Sequence, residues 1–291
     1  MSFDRPTWIA FVAIPGGVAI LGAVICWHID RRVNRSGAVA TGFTGRLPSA
    51  ILAMAWGLAA TLSVFAADTT TWWPEEAWPK VVWPMLGSAL LIAPHWNSSL
   101  RDSASLWVIF GWIAVIAASL AMPVGESWVD MQSLHRPWMT AVAIAITANA
   151  LSLQRMAQRG ADRWVPLVIV AALAGPALMG AASYSALLHA CLGAIVATAV
   201  IAIGAASGRL PASPAIVFPS LLFMTTMVAA GRFYSYDDVP PAAYGLVLFA
   251  PCLISLADRL VETRAVKIRI CISAATAVLV VVTTAYLFLL S

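Results

Sequence analysis

Few residues of the 291-residue chain could do chemistry inside an apolar setting. Asn149 stands in "TANALS" and His189 in "SYSALLHACLG", each within a long apolar run. A carboxamide so placed makes an interhelical hydrogen bond or contacts a polar substrate, and an imidazole can bind a ligand or carry a proton. The remaining histidines are His28, His95 and His135, and two histidines toward each face would suit bis-histidine haem ligation. However, His28 and His95 stand at the ends of apolar runs, and His135 adjoins Arg136-Pro137. No haem and no other cofactor is expected. The chain has no HExxH, no Gly-rich phosphate loop and no Ser-His-Asp arrangement, so a membrane enzyme would need convergent titratable groups, for instance His135, His189 and Asp237 or Asp238. Cys26, Cys191, Cys252 and Cys271 are scattered singly, without a CxxC pair that would signal zinc or redox chemistry. They read as small apolar fillers.

Helix breaks are the second kind of signal. Pro15-Gly16-Gly17 interrupts the first apolar run, and Gly175-Pro176 interrupts the sixth. Backbone freed by Pro or Gly at membrane depth must be satisfied by protein, water or ligand, and breaks at matching places in two halves point to a transporter site. Together with Asn149 and His189, these residues are the substrate-binding candidates.

A third signal is the stretch "TWWPEEAWPKVVWP", with Trp72, Trp73, Trp78 and Trp83 around Glu75, Glu76 and Lys80. Pro74 and Pro79 each bias the preceding residue toward extended backbone. A stiff interfacial strap is expected, turning helical near Lys80, with Pro84 loosening the first turns after it. Its tryptophans either anchor at the headgroup level or form an aromatic lid over an outer vestibule. Interfacial anchoring is the expectation.

The elements that position these groups follow from composition. The chain is 61% hydrophobic and 10% charged, with a mean hydropathy of +0.87. Soluble domains carry roughly 25% charged residues, so this is a membrane composition, and the net charge of +4 lies in no basic run that would suit nucleic acid. Apolar runs near 8–28, 48–67, 81–96, 104–122, 138–154, 165–184, 186–206, 214–231, 242–257 and 270–290 predict an all-α bundle of ten transmembrane helices. Residues 165–206 must form two of them, because one helix of that length would reach about 63 Å. A tight hairpin at Ser183-Tyr184-Ser185 is implied.

Ten crossings place both termini on one side. Thirteen bases then fall in the odd-numbered loops, against Arg5, Lys80, Arg136 and Arg232 opposite. The positive-inside rule puts the odd loops in the cytoplasm and both termini outside. Small-residue spacings in the seventh run (Gly193-xxx-Ala197, Gly204-xxx-Gly208) favour close helix approach, which predicts a central position for that helix.

The chain therefore reads as one transmembrane domain, 1–291. "GRLP" occurs at 45–48 and 208–211, with "LLIAP" and "LVLFAP" downstream, which suggests a parallel repeat of 8–122 and 186–290 with 138–184 as a connecting pair. Matched breaks in the first and sixth runs suggest an inverted five-plus-five repeat instead. Arg and Ala richness with only two lysines points to a multi-pass protein of a bacterial inner membrane. The leading expectation is a permease or flippase-like transporter of a neutral or amphipathic small molecule. A non-catalytic subunit or scaffold of a membrane complex is the alternative, and a membrane enzyme comes third. The bilayer is the expected partner, with a small molecule or lipid as substrate, unnamed complex partners and no nucleic acid.

Overall fold

The computed structural model describes residues 9–35, 43–67, 76–95, 104–210, 213–234, 239–264 and 266–289. Among them every regular element is helical, and there is no strand. Eleven α-helices follow in order: α1 (Ile14–Arg35), α2 (Phe43–Ala67), α3 (Val82–Leu91), α4 (Ala104–Leu120), α5 (Gln132–Met156) and α6 (Val165–Ser183). Then come α7 (Ser185–Ala206), α8 (Val217–Tyr234), α9 (Pro241–Leu248), α10 (Ala250–Leu260) and α11 (Val266–Leu289). Six helical segments are long and apolar enough to cross a membrane, or up to seven if the bent pair α9–α10 is one span. The segment 126–182 is one of the six, yet it holds two α-helices. They part at Arg159-Gly160, where the backbone leaves helical angles and Gly160 takes φ +79°, a conformation that favours glycine.

Local sequence accounts for most boundaries. Each of the ten apolar runs contains helix, and α6 and α7 are separated by the single extended residue Tyr184. That hairpin is tight enough that a Cβ on Gly180 would strike the Leu188 backbone nitrogen. Pro15 follows a π-helical turn, Ile9–Ala13, which makes room for a ring that would otherwise meet the carbonyl four residues earlier. Pro176, by contrast, is carried within a continuous α6. The two "GRLP" segments also differ. The first starts α2 with Pro48 inside the helix, whereas Gly208 has φ +71° in the turn after α7. "LLIAP" and "LVLFAP" both mark helix ends, at Ile92 and Phe249.

The core corrects one expectation. The central helix is α8, not α7. All of α8's apolar window is buried, and it packs against α3, α4, α5, α6 and α9. Half of the α7 window is buried, and this helix lies on α1, α2 and α6. Small residues serve a different purpose there: a Cβ on Gly193 would collide with Ser63 Oγ of α2 and meet Pro15 Cγ of α1 at 3.2 Å. The spacing lets three helices meet, but it does not make α7 the hub.

The connections sort by end. Ala93–His95, Asp162–Trp164 and Ser213–Ile216, from odd-numbered junctions, pack near one another at what we term the basic end. Residues from even-numbered junctions cluster at the opposite end, termed the acidic end after Glu76, where Trp78, Tyr184 and Tyr234 are in ring contact.

Gly193→Leu should therefore pry α7 from α1 and α2. Overpacking of this kind costs about 1–3 kcal/mol, so thermal unfolding in detergent should move down by several degrees. Gly111→Ala, where an added Cβ meets nothing within 4 Å, should leave the transition in place or raise it slightly.

Candidate functional site

Aromatic rings pack together at the acidic end. Trp78 is fully buried, and its indole Nε1 donates to Glu76 Oε2 at 2.7 Å. The Tyr184 hydroxyl donates to the same oxygen at 3.0 Å, and the Ala77 N–H donates to the Tyr234 hydroxyl at 3.2 Å. Tyr184 stacks on Tyr234, and Trp128 tilts against Tyr234 from the other side. His135 and Trp138 both stand edge-on to Phe233. Trp78 is thus neither a lipid-facing anchor nor a flap over an open vestibule, but a packed plug beside the end of α8. The expectation of interfacial anchoring fails for this residue, because its one polar atom finds a carboxylate inside the protein. Trp83 is partly buried against the same core, while Trp72, Trp73 and Glu75 lie outside the described residues.

The proposed break sites are filled by protein. Pro15 and Gly16 are buried, and Gly16 faces Val196 of α7. Gly17 is exposed. Gly175 faces Val247 of α9, and Pro176 is buried beside it. His189 stacks on Phe11 with ring centroids 4.6 Å apart, far along the chain from the Phe233 that holds His135. Asp237 and Asp238 lie outside the described residues. Cys26 and Cys191 are buried free thiols. Among the described residues no three His, Cys, Asp or Glu side chains are grouped as a metal site.

Asn149 has a specific structural role. Helices α9 and α10 meet at 58°, with Pro251 at the start of α10. Asn149 Nδ2 donates to the Leu248 carbonyl at 2.7 Å, and the Cys252 N–H donates to Asn149 Oδ1 at 3.1 Å. A straight helix would bond Leu248 O to Cys252 N directly. The carboxamide is inserted between these two groups and satisfies both. Of the two uses of a buried amide set out above, the interhelical hydrogen bond is the one present. The α5–α10 seam continues below it, where Ser255 Oγ donates to the Ser152 carbonyl at 2.9 Å.

At the basic end the structure brings together charges that sequence reasoning left in loops. Asp258 is 2% exposed. Arg269 grips it in two parallel bonds, Nε to Oδ1 at 2.9 Å and Nη2 to Oδ2 at 2.8 Å. Arg159 Nη2 lies 3.6 Å from Asp258 Oδ2, and Arg159 Nη1 lies 3.8 Å from Glu262 Oε2. Asp258 escaped notice because the apolar run ends before it, whereas α10 continues to Leu260. A signal was present: Asp258 falls four residues after buried Ile254, on the same helical face.

Beside this cluster a cavity of about 290 Å³ opens between α6 and α11. Trp164 and the Asp258–Arg269 pair stand at its basic end, and Leu167, Ala171, Ala274 and Val278 line it further in. Arg269 and Val278 are nine positions apart, so the crevice runs roughly 13 Å along α11 at 1.5 Å per residue. Leu167 and Val278 are 43% and 62% exposed, so its rim faces outward. Inside, the Ser273 hydroxyl is buried and has no hydrogen-bond partner among the described residues. The crevice is thus a mostly apolar slot with one unused hydroxyl and an ion pair at one end.

Comparison with models of protein families, with curated proteins and with solved structures found no match.

Removing one member of the buried ion pair should be costly. Asp258→Ala leaves Arg269 uncompensated and should destabilise by about 3 kcal/mol, while Asp258→Leu with Arg269→Met should restore most of the loss; thermal unfolding of the three proteins measures both. Asn149→Leu orphans two backbone groups, with an expected cost of about 1–3 kcal/mol. Amide exchange at Cys252 should accelerate in that variant and stay unchanged in Ser152→Ala.

Proposed function

We propose that the chain crosses a bacterial inner membrane ten times and handles an amphipathic molecule drawn from the bilayer, in the manner of a flippase or permease with lateral entry. The observation that carries this reading is the outward-facing α6–α11 crevice, apolar along its length and ending at a buried ion pair. A molecule with an apolar tail could enter from the side, the tail against α6 and α11 and its polar group toward Ser273 and Arg269. Ten crossings are supported by the grouping of odd junctions at one end and even junctions at the other. The 13 bases of the odd loops favour the cytoplasm for the basic end.

A specific observation favours the second reading, a non-catalytic subunit or scaffold. Helix α8 is buried along its whole apolar window, and Pro15 and Pro176 are themselves buried among neighbouring side chains. A solid centre suits a protein that holds others in place.

Two measurements test these readings. Single cysteines at Arg209 and Glu126, with the native cysteines removed, report topology. A membrane-impermeant reagent should label Glu126→Cys in intact cells and leave Arg209→Cys unlabelled until the cells are opened; the reverse pattern overturns the orientation. Native mass spectrometry of the purified protein should find a bound amphiphile that Ala274→Phe with Ala171→Phe removes without lowering the unfolding temperature. If no such molecule is present, or if the filled crevice leaves it bound, the scaffold reading stands in place of the first.

A further inference from the structure

Helix α10 separates two cavities. One face borders the apolar crevice, and the other, with the last turns of α5, lines a groove of about 360 Å³. Arg155, Gln158, Arg159, Ser255 and Arg259 contribute to this groove, with Glu262 as its one acidic residue. Three arginines against one glutamate leave the groove with a net charge of +2. In a chain that is only 10% charged, that is a strong local concentration.

Two features separate the groove from a merely basic helix end. Arg155 and Arg259 stand at the C-terminal turns of α5 and α10, where the helix dipole favours cations, and this accounts for their presence. It does not account for Arg159. The Arg159 guanidinium is held by Asp258, by Glu262 and by Ser255, whose carbonyl accepts from Nη2 at 3.4 Å. Its Nε is buried and has no hydrogen-bond partner among the described residues. Its Nη1 meets Glu262 at 3.8 Å, beyond hydrogen-bond distance, so the guanidinium keeps donor capacity for a further acceptor. The nearby acids leave that capacity open: Asp258 gives both oxygens to Arg269, and Glu262 makes an ion-pair contact without a hydrogen bond. Arg155 and Arg259 are exposed and form no ion pair among the described residues.

We propose that this groove binds a phosphate group, with Arg159 as the fixed donor and Arg155 and Arg259 closing on the remaining oxygens. A guanidinium presents several N–H groups in one plane, and phosphate oxygens accept from adjacent ones in parallel. Arg159 is already positioned by its own partners, so little of its motion is lost on binding. The groove lies at the basic end, where lipid phosphates and soluble phosphate esters are both within reach, and basic pockets between helices on that side hold anionic lipid headgroups. The inference stands on residues separate from the crevice and survives if the crevice reading fails.

The test uses the full chain in two arms. In nanodiscs of phosphatidylcholine with added phosphatidylglycerol, native mass spectrometry should show phosphatidylglycerol retained in preference. Arg155→Gln with Arg259→Gln should reduce that preference about tenfold. Arg32→Gln with Arg209→Gln removes the same charge from the basic end outside the groove and should leave the preference unchanged. In the second arm, glycerol 3-phosphate and inorganic phosphate are titrated calorimetrically into delipidated protein. Lipid retention that depends on the groove, without ester binding, assigns a lipid phosphate; saturable ester binding lost in the groove variant assigns a soluble one. Equal loss in the two double variants, or no groove-dependent binding in either arm, overturns the proposal.

Discussion

A backbone carbonyl or amide surrounded by hydrocarbon has no water to bond with, and this protein is organised around that fact. Its consequence is plainest at Phe249, where α9 and α10 bend apart and the bond from Cys252 to Leu248 is lost. Asn149 supplies a donor and an acceptor from α5 at that place. Several hydroxyls follow the same rule. Thr61, Ser63, Thr198 and Thr225 each donate to the carbonyl four residues earlier in their own helix, which lets them sit in the core without a partner helix. Thr198 also accepts from Trp56 Nε1 at 2.8 Å, so one hydroxyl joins α2 to α7 after its own proton is committed.

Polar groups that cannot be satisfied locally are sent to the ends of the bundle. At the acidic end, Glu76 collects an indole and a phenol within a cluster of rings. At the basic end, Asp258 collects two guanidinium groups, and its burial depends on them. Helix α10 links this cluster to both cavities, because Ile254 and Asp258 face the crevice while Ser255 and Arg259 face the groove. A change at Asp258 therefore bears on both at once.

The apolar middle is held by close approach instead. Lipid tails are as apolar as leucine, so burying a leucine between helices yields little over leaving it in the bilayer, and contact distance decides which helices associate. Gly193 admits Ser63 and Pro15, Gly22 admits Ala55, and Gly175 admits Val247. These contacts join α1, α2 and α7 on one side and α6 and α9 on the other, with α8 enclosed among its neighbours.

How much of this was legible in the sequence follows from the same physics. The ten apolar runs, the hairpin at Tyr184, the helical turn near Lys80 and the concentration of bases in the odd-numbered loops are properties of single segments against their surroundings. Composition alone determined them. The rank of α8 over α7, the withdrawal of Trp78 into a plug, the pairing of Asp258 with Arg269 and the insertion of Asn149 at a break 99 residues away were decided only by the tertiary structure. In a water-soluble helix the buried face is marked by apolar residues on one side and polar residues on the other. A helix that is apolar all round carries no such mark, since protein and lipid make the same demand on its surface, and its neighbours become known only when the chain is packed.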